Sequence, residues 1–357
     1  MFLAVRDIRF ARGRFALLGL VVGLITLLIV LLSGLTAGLA GQSTSAVTNL
    51  PGTHIVFGAD TDEEPEESFE DSSITEEQLQ HWRASDAGWV EPLGVTPSQA
   101  ELAGNSTTGV TLMAAQPGAA VAPDELDESG MVISESLVEE EGTAPGDTLG
   151  LGDEEYPVTG VAAEAHYNHT PAVWLSLDNW RDMAPEGSDA PAGTVLVTDL
   201  EDADAAALDE SANTVTATHS DSRDAVASFS AENGSLLMIQ GFLYAISALV
   251  VGAFLSVWTI QRAGDIAVLK ALGGSTGYLV RDALVQAVIV LLLGAGVGAV
   301  LGWGVGAVAE RAVPFVLTGA TTIPPVLGML GLGMLGAVLA VRRITSVDPL
   351  TALGSAR

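Results

Sequence analysis

Four stretches of this chain, residues 15–40, 236–260, 284–309 and 323–341, run for about twenty residues or more without a charged side chain. A helix rises about 1.5 Å per residue, so each run is long enough to cross the hydrocarbon layer of a bilayer. Lipid offers backbone amides no hydrogen-bond partners, so segments of this kind are predicted to be transmembrane helices. The first run follows Arg6, Arg9, Arg12 and Arg14 and precedes small residues, as a cleaved signal peptide would. It is far longer than the apolar stretch of about 7–15 residues that such peptides carry, and we expect it to persist as an anchor.

Charge is divided as sharply as hydropathy. The net charge is −30, yet residues 41–240 hold 39 of the 44 Asp and Glu and only Arg83, Arg181 and Arg223 in return. Short cytoplasmic flanks accumulate Lys and Arg. Four crossings put Arg6, Arg9, Arg12, Arg14, Arg262, Lys270, Arg281, Arg342, Arg343 and Arg357 on one side, which is therefore expected to be the cytoplasm. The predicted architecture is a multi-pass cell-membrane protein of four transmembrane helices, with a large extracytoplasmic α+β domain between the first and second. In order this gives a cytoplasmic N-terminal helix (1–14), span one (15–40), the acidic exterior domain (41–233), span two (234–260), a cytoplasmic segment (261–283), span three (284–309), an exterior loop (310–322), span four (323–341) and a cytoplasmic tail (342–357). An acidic exterior repels nucleic acid and reads first as a solvated surface. Without Cys there is no disulfide, thiolate site or cysteine nucleophile.

Within the exterior block, Thr75 and Gln78 form a capping-box signature for a short helix through Trp82. Residues 53–57, 172–177, 195–197 and 215–218 read as strands, and residues 132–140 as a strand running into a helix. Residues 146–158 read as a hairpin turning near Gly152 and Asp153. The alternation predicts one or two small α/β units. His166 and His169, beside Glu164, invite a metal reading, but they precede Pro171 in an expected loop and lack helical metal-ligand spacing, so no metal site is expected there. No phosphate-binding G-x-x-x-x-G-K-[ST] and no G-x-S-x-G elbow occurs, so ATP hydrolysis and serine-hydrolase chemistry have no support in this chain.

The most specific motif is the cytoplasmic stretch QRAGDIAVLKALGGS, residues 261–275. Ile266, Leu269 and Leu272 recur at helical spacing, a Gly pair stops the helix, and Ser275 can cap the next one. It resembles the coupling region of the MacB/FtsX (type VII) superfamily of ABC-transporter permeases, approximately R-x-x-E-I-x-x-L-[KR]-A-[LI]-G-[AG]-[ST], with Asp265 where Glu is usual. Residues 3–9 (LAVRDIR), 132–137 (VISESL), 145–149 (PGDTL), Arg342-Arg343 and 348–353 (DPLTAL) resemble further parts of that family, so the likeness runs along nearly the whole chain. Residues 169–180 (HTPAVWLSLDNW) resemble its DevC/HrtB branch, which includes haem-efflux permeases.

The resemblance implies a homodimer in the bilayer, bound to two copies of a separate ABC ATPase that carries the ATP, with Arg262, Asp265, Ile266, Leu269, Lys270, Leu272 and Gly273 at the docking segment. It implies no permanently bound cofactor and no enzymatic activity of this chain. Haem is the implied substrate, taken from the outer leaflet. Glu232 is the candidate iron ligand, Met238 and Tyr244 are alternatives, Arg311 is a candidate partner for a propionate, and no other metal is expected. Within the same family, the alternative is a mechanotransmission subunit that controls an extracellular cell-wall enzyme or a sensor kinase.

Overall fold

The computed structural model describes residues 10–59, 64–102, 106–184, 191–200, 205–261, 275–345 and the single positions 264, 268 and 273. The chain divides into two compact units, Met1–Gly38 with Gly234–Arg357, and Leu39–Asn233.

Among the described residues, four helices are long and apolar enough to cross a membrane: α1 (Arg12–Thr48), with α6 (Ala227–Gln261), α7 (Thr276–Ala309) and α8 (Gly319–Thr345) later in the chain. In the first unit, Phe15, Leu18, Val22 and Ile29 of α1 pack with Val251 and Leu255 of α6, Val290 and Leu291 of α7, and Met329 and Ala337 of α8. Phe15 stands edge-on to Phe254 and Trp258, with ring centroids 5.8 and 5.1 Å away. Lipid supplies no polar partners, and the spans find their own. The Tyr244 hydroxyl donates to the Pro325 carbonyl at 3.2 Å, and Trp303 Nε1 donates to Thr322 Oγ1 at 3.0 Å. Small residues let backbones approach: Gly23 of α1 lies against Gly294 and Gly298 of α7, and Gly252 of α6 against Gly336 of α8. Of the most apolar stretch of α6 only 11% is buried, against 44% for α1.

The second unit is β-rich. Its strands are β1 (His54–Gly58), β2 (Val90–Glu101), β3 (Thr107–Ala115), β4 (Met131–Ser134), β5 (Thr148–Leu151), β6 (Glu154–Ala162), β7 (His166–Tyr167), β8 (Thr170–Ser176), β9 (Val195–Thr198) and β10 (Thr214–Thr218). They pair in the order β10-β1-β9-β2-β3-β8-β4-β6-β5, with β7 on β8. β5 then returns to β2 through Ala100↔Leu151 and Glu101↔Gly150, so β2-β3-β8-β4-β6-β5 closes on itself. Leu112, Met131, Ile133, Leu149, Leu151 and Val173 make one apolar cluster from these closed strands. β2 belongs to both parts of the sheet: Val90, Glu91, Pro92 and Leu93 pair with β9, and Gly94 onward with β3. A Cβ at Gly94 would stand 2.8 Å from the Trp180 ring, so only glycine fits at that junction.

Short helices α2 (Glu76–Arg83), α3 (Glu135–Glu141), α4 (Leu177–Asp182) and α5 (Ala205–Ala212) complete the unit. At α2 the expected box is formed: the Gln78 amide donates to Thr75 Oγ1 at 3.2 Å, and the Thr75 amide donates to Gln78 Oε1 at 2.9 Å. Two expectations change. Among the described residues antiparallel pairing predominates and the only parallel pairs are β3 with β8 and β4 with β6, so they form one β-rich unit rather than small α/β units. The segment around His166 and His169 is a β-hairpin rather than a loop, because β7 extends β8 by two residue pairs.

Candidate functional site

The two central residues of the β7–β8 hairpin, Asn168 and His169, take φ of 49° and 65°. Asn and His tolerate this left-handed region better than most side chains, and two such residues in succession make a tight hairpin whose twist matches its strands. The turn is held against the last turns of α1. The Asn168 amide donates to the Ser43 carbonyl and the His169 amide to the Gln42 carbonyl, both at 3.0 Å, so the hairpin amides are satisfied on carbonyls within the last two turns of the helix. Ser45 Oγ accepts from the His166 amide at 2.8 Å.

This anchoring fixes the His169 imidazole. Its Nε2 lies 3.1 Å from Ser43 Oγ and 3.1 and 3.2 Å from the two carboxylate oxygens of Glu232, the sixth residue of α6. The two side chains keep 31% and 43% of their surface, half-sheltered yet reachable. His166 points elsewhere and is buried, with Nδ1 3.8 Å from Glu164. Burial holds its pKa below the ordinary imidazole value, against the opposing pull of Glu164 and Glu140, while His169 adds to the depression. Among the described residues no three His, Asp or Glu side chains converge as a metal site.

Of the sequence candidates, Glu232 thus meets His169, whose Nε2 also meets Ser43, within the Leu39–Asn233 unit. Met238, Tyr244 and Arg311 belong to the other unit. Met238 is 63% exposed, Tyr244 is engaged with Pro325 and Gln240, and Arg311 is exposed in the turn after α7. Arg262, Asp265, Ile266, Leu269, Lys270 and Leu272 of the expected docking segment lie outside the described residues. Gly273 has φ 94°, a left-handed stop, and Ser275 Oγ accepts from the Tyr278 amide at the start of α7. Ser43 was not singled out by sequence reasoning. The residue gives no signal of its own, since its role comes from the hairpin that folds onto it.

A family model described as MacB-like periplasmic core domain matches residues 15–215, and one described as FtsX-like permease C-terminal matches residues 237–349. A protein of Staphylococcus haemolyticus named putative hemin transport system permease protein HrtB is 24% identical over 368 aligned positions, covering 99% of this chain and 99% of that one. Its namesake in Staphylococcus epidermidis is 27% identical over 203 positions, which cover 57% of this chain and 56% of the relative. The crystal structure of the periplasmic region of MacB from Actinobacillus actinomycetemcomitans aligns with 50% of this chain and 91% of its own, at a TM-score of 0.34 and 13% identity.

Proposed function

The chain belongs to the MacB/FtsX family of ABC-transporter permeases, and from that premise we propose that it is the permease subunit of an efflux complex that draws haem from the outer leaflet of the cell membrane. ATP is hydrolysed on a separate ATPase. The observation that carries the substrate is the end-to-end likeness to a relative named for hemin transport. Glu232 and His169, half-sheltered side chains with iron-binding chemistry, give that substrate a candidate site.

The working assembly in this reading is a homodimer with two ATPase copies, both termini in the cytoplasm and residues 41–233 outside. The sparsely covered face of α6 supports self-association, since it leaves Leu237, Ile239, Phe242, Ile246 and Leu249 without cover. The ATPase docks at residues 262–273, and its closure is passed along spans one and two. Spans without a charged residue suit extraction from a leaflet better than an ion pathway, which normally needs ionisable groups inside the membrane. Met238, Tyr244 and Arg311 are further contacts in this reading, Arg311 for a propionate.

The test is growth of a deletion strain under haem challenge. The strain is expected to be hypersensitive, to be rescued by the wild-type gene, and to be rescued poorly by Glu232→Ala. A deletion strain that tolerates haem as well as its parent, while the complex holds an extracellular protein partner, would replace the efflux reading with the mechanotransmission one.

A further inference from the structure

We propose that the crevice between α1 and α7 beside Arg12 binds one anionic phospholipid, with an acyl chain laid along the helices and the phosphate on Arg12, independently of the haem reading above. The two helices run side by side in the same direction, since Gly19 meets Gly294 and Gly23 meets Gly298. Near the start of α1 they enclose a cavity of about 470 Å³, within the range of roughly 300–1,000 Å³ usual for ligand sites. Two glycines make its floor. A Cβ at Gly294 would stand 2.8 Å from the Gly19 carbonyl oxygen, so the backbones nearly touch and neither residue sends a side chain into the crevice. Leu20, Leu293 and Val297 wall it and are exposed. Among the described residues that line it, Arg12 alone is charged.

From Arg12 to Leu20 the helix rises about 12 Å, close to the depth of one leaflet in a hydrocarbon core of about 30 Å. A fatty chain in the crevice therefore keeps its headgroup at the level of Arg12. A guanidinium binds phosphate through paired N–H donors, and basic pockets between spans take anionic headgroups. Charge decides among the occupants. The residues before α1 carry Arg6 and Arg9, so folding that segment over the crevice would crowd cations beside Arg12. A second copy placed there would bring an Arg12 and an Arg14 of its own. An anionic phosphate relieves the charge that both would add, and a neutral headgroup does not. Arg14 is engaged elsewhere: its Nη1 donates to Gln261 Oε1 of α6, and it is not among the residues that line the crevice. In the topology proposed above this end of α1 faces the cytoplasm, the side on which anionic lipids give the membrane its negative surface.

The experiment titrates the purified, delipidated full chain in detergent micelles with phosphatidylglycerol, or with phosphatidylcholine of the same acyl chains. Native mass spectrometry reads the lipid adducts and the mass of the assembly. Wild type is expected to bind phosphatidylglycerol at least about fivefold more tightly than phosphatidylcholine. Arg12→Gln is expected to bind the two lipids equally, and Arg14→Gln to keep the preference. Ala16 lines the crevice and is exposed, so Ala16→Trp should fill it without disturbing the core and lose both lipids. Excess inorganic phosphate is expected to leave phosphatidylglycerol bound, and displacement would make this a phosphate site instead. A preference that survives Arg12→Gln, or that Arg14→Gln loses as fully, reflects a diffuse basic surface and overturns the site. Equal binding of the two lipids that becomes a preference once residues 2–9 are deleted assigns the crevice to the chain's own N-terminal segment. Lipid binding that Ala16→Trp leaves intact, while the assembly loses mass, assigns it to a second copy. Either result overturns the proposal, and neither bears on haem export.

Discussion

Replacing Gly298 by Ala tests how the first and third spans are held together. A Cβ at position 298 would stand 2.3 Å from the Gly23 carbonyl oxygen and 2.8 Å from Thr26 Cβ, whereas a Cβ at Gly296, two residues earlier, meets nothing within 4 Å. Restoring ordinary contact at Gly298 requires α1 and α7 to part by roughly 1 Å, and a gap of that size forfeits a quarter to a half of the dispersion well for the atoms along the seam. Overpacking of this kind costs about 1–3 kcal/mol. Replacing a helical Gly by Ala returns up to about 1 kcal/mol of propensity at either site. We therefore expect Gly298→Ala to be less stable than Gly296→Ala by about 1–3 kcal/mol, with Gly296→Ala equal to wild type or slightly more stable. Unfolding of the full chain in detergent micelles by SDS titration, followed by tryptophan fluorescence, reads the difference. Equal stability of the two variants would refute the close-packed glycine seam.

Gln78 is buried, and its Nε2 donates to the carbonyls of Ala59 and Asn213 at 3.1 and 3.0 Å. Gln78→Leu is expected to cost about 1–3 kcal/mol by orphaning those carbonyls, and amide exchange in α2 that is no faster than wild type would contradict this. His166 is held below its ordinary pKa by burial, so the unfolded chain takes up the proton first as pH falls. Its contribution to stability is present at neutral pH and erodes below about 6.5. The acid-side loss of stability of the full chain should be smaller in His166→Gln, and an identical pH profile would count against the burial argument. Tyr156 is pushed up to about 12 by burial first, then by its hydrogen bond to Glu154 and the charges of Glu154 and Asp182. Ultraviolet titration of Glu154→Gln should show one tyrosine ionising earlier than in wild type.

The spans were legible because charge-free apolar runs have one stable outcome in lipid, and the box at Thr75 and Gln78 because capping is local. β2 was missed for a physical reason: Pro92 and Pro97 interrupt it, and proline argues against a paired strand until the partners are known. β7 has two residues and no period to detect. The closure of β5 onto β2 pairs residues about fifty positions apart, which no local pattern records. Glu232 could be proposed from its position ahead of span two, but not its pairing with His169, 63 residues earlier. That pairing depends on a left-handed turn docking on the end of α1.

In the proposed function, the complex uses ATP to remove haem from the membrane. The most direct test places the full chain and its ATPase in vesicles loaded with haemin and follows transfer of haemin to an apo-haemoprotein in the external medium. ATP is expected to accelerate the transfer, and Glu232→Ala or His169→Gly to return it to the spontaneous rate. Transfer that runs equally fast with and without ATP would contradict the claim.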